Sequence, residues 1–341
     1  MRDALNRLAK RSQLFCVAYF LLENTRAKRR FAAGQHDSEQ GATHRDLDAA
    51  ASLAYIRRVL DDYSTFGGID DERLHDATIL ELGPGDNLGV ALCLLARGAR
   101  RVVCLDRFYS RRDPAQQLQV YRALRDSLED AEQRRRFDAA VDLSGAEPVF
   151  DADRLSYVHG IGIEDAEATL PGERFDIILS YAVLAHLYDP DTGMAVMDRL
   201  LVPGGRMAHK IDLSDHGMFS RGGHNPLIFL TFCDAVYGAM SSHTGRPNRR
   251  LIDYYRAQFA ARGYDASYAY TKTVGVKDNI NPYSRQLRAG QDYSDAQVAL
   301  VERIRPRLAP PYRGLPLEDL LAAGVFVSAT KPTETAGRAG C

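Results

Sequence analysis

A chain of 341 residues with 45% hydrophobic content fills one large or two small cores and reads as globular. Its 44 Lys plus Arg nearly balance 45 Asp plus Glu, which gives no electrostatic case for nucleic acid or an anionic membrane as main partner and points to a small molecule. Five cysteines, at positions 16, 93, 104, 233 and 341, form no C-x-x-C pair, the pattern of reduced thiols in a cytoplasmic chain.

In chain order, LFCVAYFLL (14–22) follows a basic stretch and looks at first like the apolar part of a signal peptide. No small-residue cleavage site follows; ENTRAKRR does, and the run is far short of the ~20 apolar residues that span a bilayer. It predicts a buried or capping helix rather than a membrane span, with weak interfacial contact through its basic flanks as the minority alternative. Residues 1–76 read as a mainly helical cap with a loop at 32–46.

From 77 to about 213, strand-like runs at 78–83, 101–106, 155–159, 175–180 and 206–213 alternate with helical patterns, which predicts an α/β sheet with crossover helices. The helical patterns are GVALCLLARG, a polar helix over 114–136, and DTGMAVMDRLL, stopped by Pro203-Gly204-Gly205. Further helices are expected at 225–240 and 248–262. Strands at 266–273 and 324–332 would pair as a closing edge, with helices 294–308 and 316–323 between them, and the tail from 333 reads as disordered.

The stretch ILELGPGDNLG carries chemistry. A glycine-rich turn between strand and helix lets a ligand approach the backbone and aims helix N–H groups at it. Gly83, Gly85 and Gly89 give G-x-G-x-x-x-G, whereas a dinucleotide fingerprint wants its third glycine where Leu88 stands. Asp106 ends the second strand where an acid accepts from ribose hydroxyls in this kind of fold. Glu81 lies inside the first strand, where a carboxylate is costly to bury unless donors order it or a cation faces it. A sulfonium or ammonium ligand supplies such a cation.

These residues resemble the class I S-adenosylmethionine-dependent methyltransferases: ELGPGDNLG as the first motif, CLDRF as the acidic motif, FDIILSYAVLAHL at strand four and LLVPGGRM before strand five. More narrowly, LGPGDNLGVAL, HKIDLSDHGMF and PNRRLIDYY look like a bacterial methyltransferase-domain group with no assigned substrate. The resemblance implies a Rossmann-like fold over 77–332, a seven-stranded, mostly parallel sheet with helices on both faces, preceded by the cap. It implies that Glu81, Gly83, Pro84 and Gly85 surround the methionine part of S-adenosyl-L-methionine and that Asp106 holds its ribose. Arg107 or Phe108 would border the adenine, either Glu164 or Asp165 would accept from the adenine amine, and Ser180 and Tyr181 would line the pocket.

Methyl transfer from a sulfonium is a direct displacement, so the protein has to align the reacting atoms, exclude water and, for an alcohol acceptor, take a proton. His186, just beyond the fourth strand, is one candidate base; bonding a backbone carbonyl is its comparable structural alternative. HKIDLSDH (209–216) is richer, but strand alternation puts Lys210 and Asp212 on one face and His209 on the other. Asp212 and His216 are favoured as the pair nearest the acceptor, Asp orienting His, with Asp215 either a turn cap or, less favoured, a ligand with Asp212 and His216 for a divalent metal. His224 and Asn225 read as the start of a helix with Pro226 in its first turn, and Arg249 and Arg250 as surface ion pairs or contacts to an anionic acceptor.

The expected activity is O-methylation of a small-molecule or saccharide hydroxyl, yielding S-adenosyl-L-homocysteine. An NAD(P)-binding oxidoreductase and a non-catalytic adenosyl-ligand-binding protein of the same fold are the rivals.

Overall fold

The computed structural model describes residues 11–33, 37–38, 43–275 and 284–333; the expected disordered tail and part of the 32–46 loop lie outside them. Its centre is a seven-stranded sheet of β1 (Thr78–Leu82), β2 (Arg101–Asp106), β3 (Leu155–His159), β4 (Phe175–Tyr181), β5 (Leu201–Asp212), β6 (Asp265–Thr273) and β7 (Ala322–Thr330). Across the sheet the order is β3-β2-β1-β4-β5-β7-β6, and β7 is antiparallel to both of its neighbours while the other pairings are parallel. Every residue of β1 is buried, as a parallel strand covered on both faces requires.

Side-chain alternation divides the interior into two apolar layers. Ile79, Val102 and Ile177 face α2 (Ala49–Thr65), α3 (Gly89–Ala96), α4 (Pro114–Asp126) and α5 (Ala131–Ala140). Leu80, Val103 and Ile178 face α6 (Pro190–Leu200), α7 (Asp234–Ser241), α8 (Ile252–Ala261) and α9 (Asp295–Ile304). Burying both faces of a sheet this way supplies most of the stabilisation, at about 25 cal/mol per Å² of apolar surface.

Several boundaries differ from the sequence reading for identifiable reasons. The polar helix expected over 114–136 is two, because Asp130 accepts from the Glu132 N–H and starts α5. Pro203-Gly204-Gly205 does not separate helix from strand: β5 starts at Leu201, and the sequence forms a bulge between the Phe175–Leu201 and Ile177–Arg206 pairings, with Gly204 at φ +75. The helix expected at 225–240 is a short 3-10 turn, Ile228–Thr231, followed by α7. Asn225 accepts from the Leu227 N–H, so Pro226 precedes that turn rather than opening a long helix.

The N-terminal α1 (Gln13–Ala32) buries Cys16, Phe20 and Asn24, spaced four apart on one face, and leaves Leu14 and Leu22 exposed. Asn24 donates to the Ala239 carbonyl at 2.9 Å and accepts from the His243 N–H at 2.7 Å, which docks the helix beside α7. Among the described residues no helix is long and apolar enough to cross a membrane. Cys16, Cys93, Cys104 and Cys233 form no disulfide.

Candidate active site

The polypeptide leaves β1 through Gly83 and Gly85 at φ +64 and +71, the left-handed region that glycine enters without strain. A Cβ on Gly83 would sit 2.5 Å from Val183 Cγ2, so the turn presses against the segment after β4. Replacing Gly83 with alanine is expected to cost about 1–2 kcal/mol from the backbone alone and to displace Val183; urea unfolding and ligand titration measure both effects. At this turn, beyond the carboxyl ends of the parallel strands, opens a cavity of about 520 Å³, a volume suited to a ligand of nucleoside size.

Gly83, Pro84, Gly85, Arg107 and Phe108 line the cavity together with the two acids expected there. Glu81 is 5% exposed, and its register partner Cys104 reaches it with Sγ 3.5 Å from Oε2. A thiol compensates a carboxylate poorly, and burial pushes Glu81 up to about 7. Burial also raises Asp106, against the pull of backbone N–H groups that include Phe108 at 3.2 Å. A cation at Glu81 and hydroxyl donors at Asp106 would supply the partners that burial denies them.

Glu164 lines the cavity and has partners of its own. Its Oε2 accepts from Arg107 at 2.6 Å, while Oε1 accepts the Tyr188 and Asp189 N–H groups at 3.0 and 3.1 Å. The residue expected to accept from an adenine amine thus also braces the loop after β2 against the loop after β4, and Asp165 is not among the lining residues. Arg107 also lies 4.3 Å from the centre of the Tyr188 ring. Ser180 does not line the cavity either. It is still within β4, fully buried, and 2.8 Å from Nδ1 of its register partner His209. Tyr181, one residue on, does face the cavity.

Of the expected catalytic residues, His186 and His216 come together on the wall, ring centres 4.6 Å apart and nearly perpendicular. Nδ1 of His186 lies 2.7 Å from the Gly245 carbonyl, which needs a proton on that nitrogen and leaves Nε2 as acceptor. Burial, reinforced by His216, pushes His186 down to about 4, so it is neutral at physiological pH. Nε2 of His216 is 3.8 Å from Asp212 Oδ1, and Asp212 stays outside the lining. Burial works to raise Asp212, but His216, Ser214 and Lys272 outweigh it and hold the carboxyl below its usual range.

The remaining HKIDLSDH residues are structural. Asp215 accepts from the N–H groups of Gly217, Phe219 and Ser220 and from the Ser220 hydroxyl, 2.6 to 2.9 Å away, which fixes it as a loop cap. Those four donors occupy the carboxylate, so it is not free to complete the metal alternative. Among the described residues no group of three His, Cys, Asp or Glu is placed to hold a metal ion. His209 is fully buried and pushed down to about 3. Arg249 is buried on the Phe229 and Phe232 carbonyls and on Asp234, and Arg250 pairs with Asp191; neither lines the cavity.

Sequence reasoning missed the residues that close the cavity from outside the sheet. Thr43 and His44 come from the segment before α2 and Tyr55 from α2 itself, while Arg221 and Arg246 come from the loops after β5 and α7. Asp86 of the glycine turn holds the His44 N–H with both oxygens at 3.1 Å. The one advance signal was Asp48, an N-cap type of residue four places after His44 that marks a helix start near the site. Backbone strain marks the wall as well: Ala182 (φ +61) and His216 (φ +49) are left-handed non-glycine residues.

The family model described as a methyltransferase domain matches residues 144–209, the stretch carrying β3, β4, most of β5 and the Glu164 brace. Over that stretch the chain is similar to the methyltransferase-domain family. No curated protein matches it by sequence. Among solved structures it is similar to the YcgJ protein of Bacillus subtilis, at 12% identity over 81% of this chain and 99% of that one, with a TM-score of 0.40. It is also similar to phosphoethanolamine N-methyltransferase 2 of Haemonchus contortus in complex with S-adenosyl-L-methionine, at 15% identity over 82% of this chain and 52% of that one, with a TM-score of 0.39. A cyclopropane-fatty-acyl-phospholipid synthase-like protein of Lactobacillus casei shares 12% identity over 83% and 90%, with a TM-score of 0.39. The glycine turn and its two acids lie N-terminal to the matched stretch and meet it at the cavity.

Proposed function

We propose that this domain transfers a methyl group from S-adenosyl-L-methionine to a hydroxyl of a small molecule or saccharide. The observation that carries this reading is the pairing of Glu81, a buried carboxylate with no countercharge within bonding distance, with Asp106 on the next strand, both on one cavity. Bound there, the sulfonium donor supplies an electrophilic methyl carbon.

The chain's own residues then have three tasks. Glu81 faces the positive methionine end and Asp106 accepts from the ribose diol, which fixes the donor's direction. The Glu164 brace and the closing residues from the cap exclude water from the reacting atoms. His186, neutral and held by the Gly245 carbonyl, packs edge-on against the His216 ring and keeps it in place at the acceptor oxygen. His216, oriented by Asp212, takes the proton as the oxygen bonds to carbon and the carbon–sulfur pair returns to sulfur.

Calorimetric titration with S-adenosylmethionine, S-adenosylhomocysteine and NAD tests the donor assignment. The two adenosyl ligands are expected to bind, and Asp106→Ala is expected to weaken both by roughly 10- to 100-fold, the worth of about 1.5–3 kcal/mol for hydrogen bonds to a charged acceptor. Binding of NAD alone would overturn the proposal.

A further inference from the structure

Apart from Arg107 and Glu164, which pair with each other, the charges lining the cavity are unevenly shared among its segments. At the glycine-turn end stand Glu81 and Asp106. The lining from the loops after β4, β5 and α7 contributes His186, His216, Arg221 and Arg246 and no Asp or Glu. The two arginines are differently held. Arg246 donates to Glu23 of α1 at 2.7 Å and lies 5.0 Å from the Phe20 ring centre, yet its Nε is buried and meets no acceptor. Arg221 is exposed at the cavity's edge and makes no ion pair among the described residues; it rests against Gly217, whose added Cβ would lie 2.6 Å from Arg221 Nε. His186 is neutral and adds acceptor capacity rather than charge.

A neutral hydroxyl acceptor such as a plain saccharide leaves this lining with two guanidinium groups, one of them carrying a buried, unanswered donor. Such forks match carboxylate and phosphate oxygens. Resting on the donor assignment above, we propose that the acceptor carries an anionic group, a carboxylate or phosphate ester, which docks on Arg221 and Arg246 and presents its nucleophile to the His186–His216 pair. The anion serves for binding and orientation, and the displacement is unchanged: oxygen attacks the methyl carbon, sulfur leaves with the bonding pair, and the proton passes to His216.

The same arginines would also suit the donor's own carboxylate, and the test separates the two sources. Inorganic phosphate is titrated calorimetrically into the wild type, Arg221→Gln and Arg221→Gln/Arg246→Gln, each with and without saturating S-adenosylhomocysteine, whose affinity is measured first. Phosphate is expected to bind the wild type, to weaken about tenfold in Arg221→Gln and to be lost in the double variant, with S-adenosylhomocysteine affinity held within about threefold. Arg221 has no ion-pair partner to lose among the described residues, so the single variant reports on binding even if the double variant loosens α1. Phosphate affinity that is equal in all three proteins, or absent in the wild type, overturns the proposal. A parallel loss of S-adenosylhomocysteine affinity overturns it too, by giving the arginines to the donor. Failure of S-adenosylhomocysteine to bind the wild type sinks the donor assignment instead, and the phosphate series without it still decides whether the anion subsite exists.

Discussion

Glu81→Gln is expected to make the empty protein more stable and the donor complex much weaker. Burial holds the Glu81 carboxyl at about 7 against an ordinary 4.5. For an acid whose pKa is raised by folding, the native state binds more protons than the unfolded one between those two values, so stability falls as pH rises from about 4.5 through 7. At pH 8 the ionised, uncompensated carboxylate costs roughly 3 kcal/mol at 1.36 kcal/mol per pKa unit. The glutamine variant removes that cost and flattens this part of the pH profile. A cationic ligand reverses the preference, because it selects ionised Glu81. Donor affinity in the wild type should therefore drop about tenfold per pH unit below 7 and level off above it, while Glu81→Gln binds about 100-fold more weakly at pH 8 with little pH dependence. Thermal unfolding and calorimetry across pH 5–9 measure both effects. A variant that is no more stable than the wild type at pH 8, or that keeps full donor affinity, would show that Glu81 faces no cation.

The second large effect is expected at the junction of α2 with the sheet. Lys210 of β5 reaches Asp62 of α2 at 2.9 Å and the Tyr181 hydroxyl at 2.6 Å, and the same hydroxyl donates to Asp62 at 2.9 Å. The Lys210 and Asp62 side chains are 11% and 7% exposed. Breaking a buried pair by removing one partner strands the other charge, whereas removing both leaves a repackable apolar site. Asp62→Leu is accordingly expected to destabilise by about 3–5 kcal/mol, and Asp62→Leu/Lys210→Met to recover most of it. Urea unfolding of the three proteins measures this. A double variant as unstable as the single one would mean that packing around Asp62, rather than the stranded ammonium, sets the loss. Tyr181 lines the cavity, so the single variant should also weaken ligand binding.

The sheet was legible because its strands announce themselves by composition: TILEL and RVVCLD are continuous apolar runs that only a doubly covered parallel strand accommodates. The glycine turn and its acids were legible because strand, bend, helix and acid occur in fixed order over few residues. What escaped depends on register and on distant segments. Ser180 and Tyr181 both follow the apolar run of β4, but one further residue of strand turns Ser180 into the sheet and Tyr181 out of it. Glu164 carries the expected charge and lines the cavity, and only the path of the loop after β4 reveals that Arg107 and two backbone N–H groups also bond it. His44 reaches the site from well before the glycine-turn motif and Arg246 from the loop after α7, where periodicity gives no clue.

Ala182 and His216, the left-handed pair on the cavity wall, bear on how tightly the site can be occupied. Each such backbone costs about 1–2 kcal/mol that the surrounding packing must hold in place. Packing that holds these backbones also holds the shape of the wall, and a wall so held spares a ligand the entropy of arranging it.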